Sequence, residues 1–201
     1  GVDPRRAGLG ERVLVVALDA PVPIRVVRLR EREEQAPAYL LARVEGCLQQ
    51  EEQRFGATTV LYGAKRGKYP HGNSLVVRGA SESLVIDPSL GLVARGADAP
   101  RVDRVLHSHC HEDHLAGSYM YGDAPWHFHT ADLHGIRSLD GLMELYGYPE
   151  PIHSAWKKTV VSQFHYVARP DARGFRDGDV FELGGARVRV IAPLTLLPSN
   201  I

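Results

Sequence analysis

The sequence predicts an α/β fold. Short β-branched runs such as "TTVLYGA", "SLVVRG" and "SLVIDPS" read as strands, and Ala-, Leu- and Glu-rich stretches read as helices. The two kinds alternate along the chain, with Gly, Pro, Asp and Asn punctuating the boundaries. At 201 residues, 44% hydrophobic and 24% charged, the chain has the makings of one folded domain, or of a domain with an extension.

Residues 1–56 form a poorly readable N-terminal extension. Within it, "RVLVVAL" suits a buried strand and "PIRVVRLR" an alternating one, while residues 37–54 suit a helix weakened by Gly46. From Thr58 the texture sharpens. "TTVLYGA" is a strand and "KRGKYPHGN" a loop of turn formers. "SLVVRG" and "SLVIDPS" make a hairpin around "ASE". In "RVDRVLHSH", Val102, Val105 and Leu106 form a strand that runs into a cluster of histidines. "EDHLAGSYMYG" favours a helix from about Asp113, because acids suit a helix start. "APWHFHTADLHGIRSLDGLMELYG" gives a strand and then helical pieces. Asp177-Gly178 marks a turn, "VFEL" a strand, Gly184-Gly185 another turn, and "RVRVI" the partner strand.

Twenty-four basic residues balance twenty-four acidic ones, so the chain has no charge surplus with which to bind nucleic acid. Its early arginines are interleaved with glutamates and read as a solvated surface. Cys47 and Cys110 make neither a disulfide framework nor a CxxC motif, and fit a reducing compartment. "VLVVALDAPVPI" is broken by Asp19 and two prolines, is too short to span a bilayer and lacks a secretory layout. The expectation is a cytoplasmic chain without membrane or nucleic-acid partners.

The chemistry is concentrated in "HSHCHEDH", residues 107–114. In an extended segment, residues two apart point to the same side, so His109 and His111 face together and Cys110 turns away as a small buried residue. Asp113 follows by two, and the turn that begins there swings His114 to a second nearby position. The run can feed two metal centres: His109 and His111 to one, Asp113 and His114 to the other. Imidazole and carboxylate suit zinc, and also iron or manganese. H-x-H-x-D-H arises by chance in on the order of one such chain in a thousand.

His109-Cys110-His111-Glu112-Asp113-His114, followed by Leu115-Ala116-Gly117, resembles the signature of the metallo-β-lactamase-fold hydrolases. "GNSLVVRGASESLVIDPSLGL" looks like the paired strands before that signature, and "DGDVFELGGARVRVI" like the hairpin leading to the family's third metal motif, so the likeness covers residues 57–191 and leaves 192–201 as a divergent tail. The resemblance implies an αββα sandwich, here its N-terminal half, with one or two zinc ions or iron at a sheet edge. It implies a metal-bound hydroxide attacking an ester, thioester, lactone or related bond of a small-molecule substrate. Asp113 would hold the water or take its proton as well as bind metal. Asp87 reads equally as a turn-forming residue before Pro88 and as the partner of a ligand histidine's N–H.

The chain departs from the pattern after "VRVI". Ala192-Pro193-Leu194 stands where a histidine and a Pro-Gly turn are expected, and the later bridging aspartate and last histidine have no counterparts. Half a sandwich would also expose the inner face of its sheet. Three readings follow: a truncated or frame-shifted product, completion by a partner or a second copy in a homo-oligomer, or a degenerate remnant that binds metal weakly without catalysis. An iron-dependent oxidoreductase on the same scaffold is a further alternative. His107 reads as a structural residue at a strand end. His127, His129 and His134 read as strand and pocket wall, and His71, His153 and His165 as surface or loop.

Overall fold

The computed structural model describes the backbone of residues 15–18 and the whole of residues 51–191. The strand expected at "PIRVVRLR", most of the helix expected over 37–54, Cys47 and the tail 192–201 lie outside the described residues.

Ten strands form two sheets among the described residues. The larger sheet runs in sequence order: β2 (Glu52–Phe55), β3 (Thr58–Leu61), β4 (Ser74–Arg78), β5 (Ser83–Ile86), β6 (Arg104–Leu106), β7 (Trp126–His129) and β8 (Arg173–Phe175). Pairings from β2 to β5 are antiparallel and those from β5 to β8 parallel. The smaller sheet is antiparallel, with β10 (Arg187–Ile191) between β1 (Val15–Leu18) and β9 (Val180–Glu182).

Each parallel step needs a crossover, and the helices supply it. α1 (Ala64–Gly67) is a single turn in the β3–β4 loop, with Lys65 and Arg66 at φ of 54° and 59°. α2 (Leu90–Val93) lies between β5 and β6, and α3 (Glu112–Leu115) between β6 and β7. α4 (Leu133–Arg137), α5 (Leu139–Tyr146) and α6 (Ile152–Gln163) together join β7 to β8. Ser138 caps α5 by accepting from Gly141 N–H, and Gly147, at φ 63°, ends it in a left-handed turn.

Strand alternation divides the core between the two faces of the large sheet. Val76, Val85, Val105 and Phe128 turn to the helices and pack with Leu92, Leu115, Ile136, Leu142, Met143 and Val160. Val77, Leu84, Ile86 and Leu106 turn the other way, against Phe181, Leu183, Val188 and Val190 of the β9–β10 hairpin. The expectation of an exposed inner face is thus corrected: the hairpin folds back and covers it. Gly79 permits the close approach, because a Cβ there would stand 1.8 Å from the Leu183 carbonyl oxygen. Three backbone bonds tie the two turns together: Ala80 N–H to Gly184 O at 2.7 Å, and Ser81 and Glu82 N–H to Leu183 O at 3.1 and 3.2 Å.

Three local expectations also change. Residues 52–54 lie in strand β2 rather than at the end of a helix, because pairing with β3 outweighs the good helical propensity of "EQR". The helix expected from Asp113 stops after α3. At Gly117 the backbone N–H donates to Pro88 O at 2.7 Å, and an added Cβ would lie 2.9 Å from Ser89 O. This contact leaves only a short 3-10 turn at Ser118–Tyr121 beyond it. His153 belongs to α6, a helix with no sequence-based expectation: Val160 is its buried residue, so its apolar stripe is thin.

Candidate metal centre

The histidine run leaves the C-terminal end of β6, next to β5, where the sheet switches from antiparallel to parallel. Open α/β sheets bind ligands at such strand ends. His111 is the extended residue that caps α3, with φ −89° and ψ 150°. That extension sends His109 and His111 to the same side, with His109 Nε2 2.9 Å from His111 Nδ1. The α3 turn then brings His114 back, its ring centroid 4.1 Å from that of His109. His114 Nε2 stands 3.8 Å from Asp113 Oδ2.

Two of the rings are aimed by their other nitrogen. Ser108 Oγ stands 2.9 Å from His109 Nδ1. Asp87 Oδ2 stands 3.0 Å from His114 Nδ1, and Asp87 also accepts from Ser108 N–H at 2.7 Å and Ser108 Oγ at 2.6 Å. Asp87 therefore combines both readings of the sequence. It makes a turn before Pro88, at φ 51°, and its carboxylate orients a histidine of the run. Aspartate tolerates that left-handed conformation better than most residues.

The electrostatics follow from burial and this one pairing. Burial alone would raise the Asp87 pKa, but the charge and hydrogen bond of His114 outweigh it and hold the carboxyl near 2. Burial alone would lower His114, yet Asp87 raises it to about 9. His109 is pushed down to about 3, first by burial and then by the neighbouring His114. Burial raises Asp113, with His114 pulling the other way.

Tetrahedral zinc with bonds of about 2.0–2.1 Å sets two ligand atoms roughly 3.3–3.4 Å apart. The separations of 2.9 Å and 3.8 Å lie on either side of that value. The donors, imidazoles and a carboxylate, are of the chemical kind zinc takes, and they stand as two pairs. Among the described residues, no group of three or more His, Cys, Asp or Glu is arranged to hold a metal ion.

The other histidines stand apart from these pairs. His107 is fully buried, stacked on Phe128 at 4.0 Å with Nε2 2.7 Å from Ser118 Oγ. His127 and His129 lie on β7, edge-on to Phe181 and Phe175. His134 pairs with Glu144 on the surface, and His71 sits in the β3–β4 loop. Cys110 is buried in the helix-side core, and burial pushes its thiol well up. The sequence reasoning missed Ser108, Glu112, Tyr69 and Tyr146. Ser108 and Glu112 were visible only as the filler of the histidine motif. No spacing rule connects it to Tyr146, thirty-four residues on from Glu112.

Residues 69–196 match the metallo-beta-lactamase superfamily, more than half of the chain, and the chain belongs to that family. Membership supports a metal-dependent, hydrolase-like scaffold. Similar solved structures include native FEZ-1 metallo-beta-lactamase from Legionella gormanii, at 16% identity over 66% of this chain and 48% of that chain, TM-score 0.45. A metallo-beta-lactamase family protein from Thermus thermophilus aligns at 22% identity over 68% and 52%, TM-score 0.46. An archaeal superfamily protein from Sulfolobus tokodaii aligns at 21% over 59% and 48%, TM-score 0.42. The chain spans about half the length of each of these. No curated protein matches it. Among the described residues no helix is long and apolar enough to cross a membrane.

Proposed function

We propose that this chain carries the metal-binding half of a metal-dependent hydrolase, acting in the cytoplasm on the ester, thioester, lactone or related bond of a small molecule. The observation that carries the reading is the placement of His109 with His111 and of Asp113 with His114 as two close pairs at the end of β6, with Asp87 and Ser108 aiming two of the rings. His109 and His111 would hold one ion, and Asp113 and His114 a second, with zinc the best match to the donors and iron the next. When bound, such ions acidify water and polarise an electrophilic oxygen. Asp113, beside the pair and raised by burial, is the residue suited to accept a proton there. Asp87 keeps His114 oriented. Ser108, bonded to Asp87, does the same for His109.

The test is elemental analysis of the purified chain, with a screen of ester, thioester, lactone and phosphodiester substrates. Bound zinc or iron, and an activity lost in His109→Ala and His111→Ala, is the expected result. A folded, metal-free and inert protein would refute it. The arrangement in pairs, without a third donor among the described residues, favours a second reading: a non-catalytic remnant that binds metal weakly. In that case the two alanine variants change neither stability nor any activity.

A further inference from the structure

Glu112 lies between two candidate ligands in sequence, yet the residue is 6% exposed and its carboxylate bonds to tyrosines. A carboxylate so deeply placed needs hydrogen-bond donors, and two tyrosines supply them. Tyr69 OH donates to Glu112 Oε1 at 3.0 Å, and Tyr146 OH makes a short bond to Oε2. The backbone N–H of Glu112 donates back to the Tyr146 hydroxyl oxygen at 3.1 Å. Tyr146 therefore grips one residue at two points, from the last turn of α5. Burial and the adjoining Glu112 push its phenol well up, so it stays a donor.

The same ring lies parallel to His111, with centroids 5.9 Å apart and 12° between the planes. Tyr148 stacks on its neighbour Tyr146 at 5.5 Å, and Trp156 meets it edge-on at 6.1 Å, so the tyrosine is itself wedged in place. His109 and His114 are aimed through Nδ1 by Ser108 and Asp87. His111 uses Nδ1 to face His109, and the Tyr146 ring lies against the face of its imidazole. We infer that Tyr146, locked by Glu112, is a positioning residue that fixes the His111 imidazole so that Nδ1 presents toward His109. Its consequence for metal binding rests on the function proposed above.

The test has one readout without metal and one with cobalt(II) alone. Long-range ¹H–¹⁵N spectra of the imidazoles, with His111 assigned by its loss in His111→Gln, report ring tautomer and mobility. The wild type gives one dominant His111 tautomer. Tyr146→Phe keeps the ring but not the clamp, and averages the tautomers of His111 while leaving His107 unchanged. Cobalt affinity falls about tenfold or more in that variant. Glu112→Gln, whose amide oxygen can still accept from Tyr146 OH while its NH2 donates to the Tyr69 hydroxyl oxygen, retains the wild-type His111 signals. Unchanged His111 signals in Tyr146→Phe overturn the inference, as does a change that spreads equally to buried His107. Should Tyr146→Phe not fold, cross-relaxation between the His111 and Tyr146 rings in the wild type decides, and its absence overturns the inference. If the wild type takes up no cobalt while Tyr146→Phe still frees His111, the clamp stands and the metal reading falls.

Discussion

His107 gives the fold a built-in sensitivity to acid. Its ring is fully buried, stacked on Phe128, and its Nδ1 has no hydrogen-bond partner. Burial lowers its pKa from 6.5 to about 3. The unfolded chain therefore binds a proton between those values that the folded chain refuses. Stability attributable to this ring is present above pH 6.5 and is lost as the pH falls, at about 1.4 kcal/mol per pH unit. Between pH 7 and pH 5 the loss comes to about 2 kcal/mol. His109, also lowered to about 3, adds a loss in the same direction. His114, raised to about 9 by Asp87, acts in the opposite sense, but its change lies above pH 6.5. Comparison with His107→Phe isolates the one ring. Urea unfolding of the metal-free proteins at pH 7 and pH 5 should show the wild type losing about 2 kcal/mol more than the variant. Parallel losses, equal within about 0.5 kcal/mol, would refute the burial argument. If the variant does not fold, the His107 resonances of the wild type serve instead: they should not titrate between pH 8 and pH 5.

Three further outcomes follow from particular contacts. Asp87→Asn tolerates the left-handed backbone but cannot pair as a charge with His114, so zinc affinity by chelator competition should fall about 10–100-fold, and the His114 pKa by NMR should drop. Gly79→Ala pushes a methyl group into the Leu183 carbonyl and should cost at least about 1–3 kcal/mol in urea, with the β9–β10 hairpin losing hydrogen-exchange protection first. Arg66→Ala removes an exposed pair with Glu51 and a contact over the Tyr62 ring at 5.8 Å, and its unfolding free energy should stay within about 1 kcal/mol of wild type.

Sequence periodicity made the central strands readable, because each has one residue for each face. Val76 and Val77 divide between the two cores, as do Val105 and Leu106, and "RVRVI" alternates exposed and buried in β10. The histidine pairs were readable for the same reason, since side chains two apart share a side of an extended segment. Tertiary contacts were not readable. Gly117 could not announce that Pro88 and Ser89 would press against it and cut the helix short. β2 could not be told from a helix end without its partner β3. β8 is three residues long, and its place beside β7 depends on the long α4–α6 crossover.

The same division explains how the site is held. The donors come from six consecutive residues, 109–114, but Asp87 and Tyr146, which aim them from outside, are not predictable from that stretch alone. Asp87 arrives from the end of β5 because β5 and β6 are parallel neighbours in register, Ile86 opposite Leu106. One step past that pair stand Asp87 and His107, which lets the carboxylate reach Ser108 and His114. Tyr146 arrives from α5, whose Leu142 and Met143 are anchored in the helix-side core. The orientation of three imidazoles is therefore set by two separate packing events, one in the sheet and one in the helices. A core substitution such as Phe128→Ala, which removes no donor atom, should reach the site through the first of these. It should cost about 3–5 kcal/mol of stability and, since Phe128 stacks on His107 at the head of the run, broaden the His109 ring signals as well. Lost stability with sharp, unmoved His109 signals would mean that the run is held by its own turn and not by the sheet beneath it.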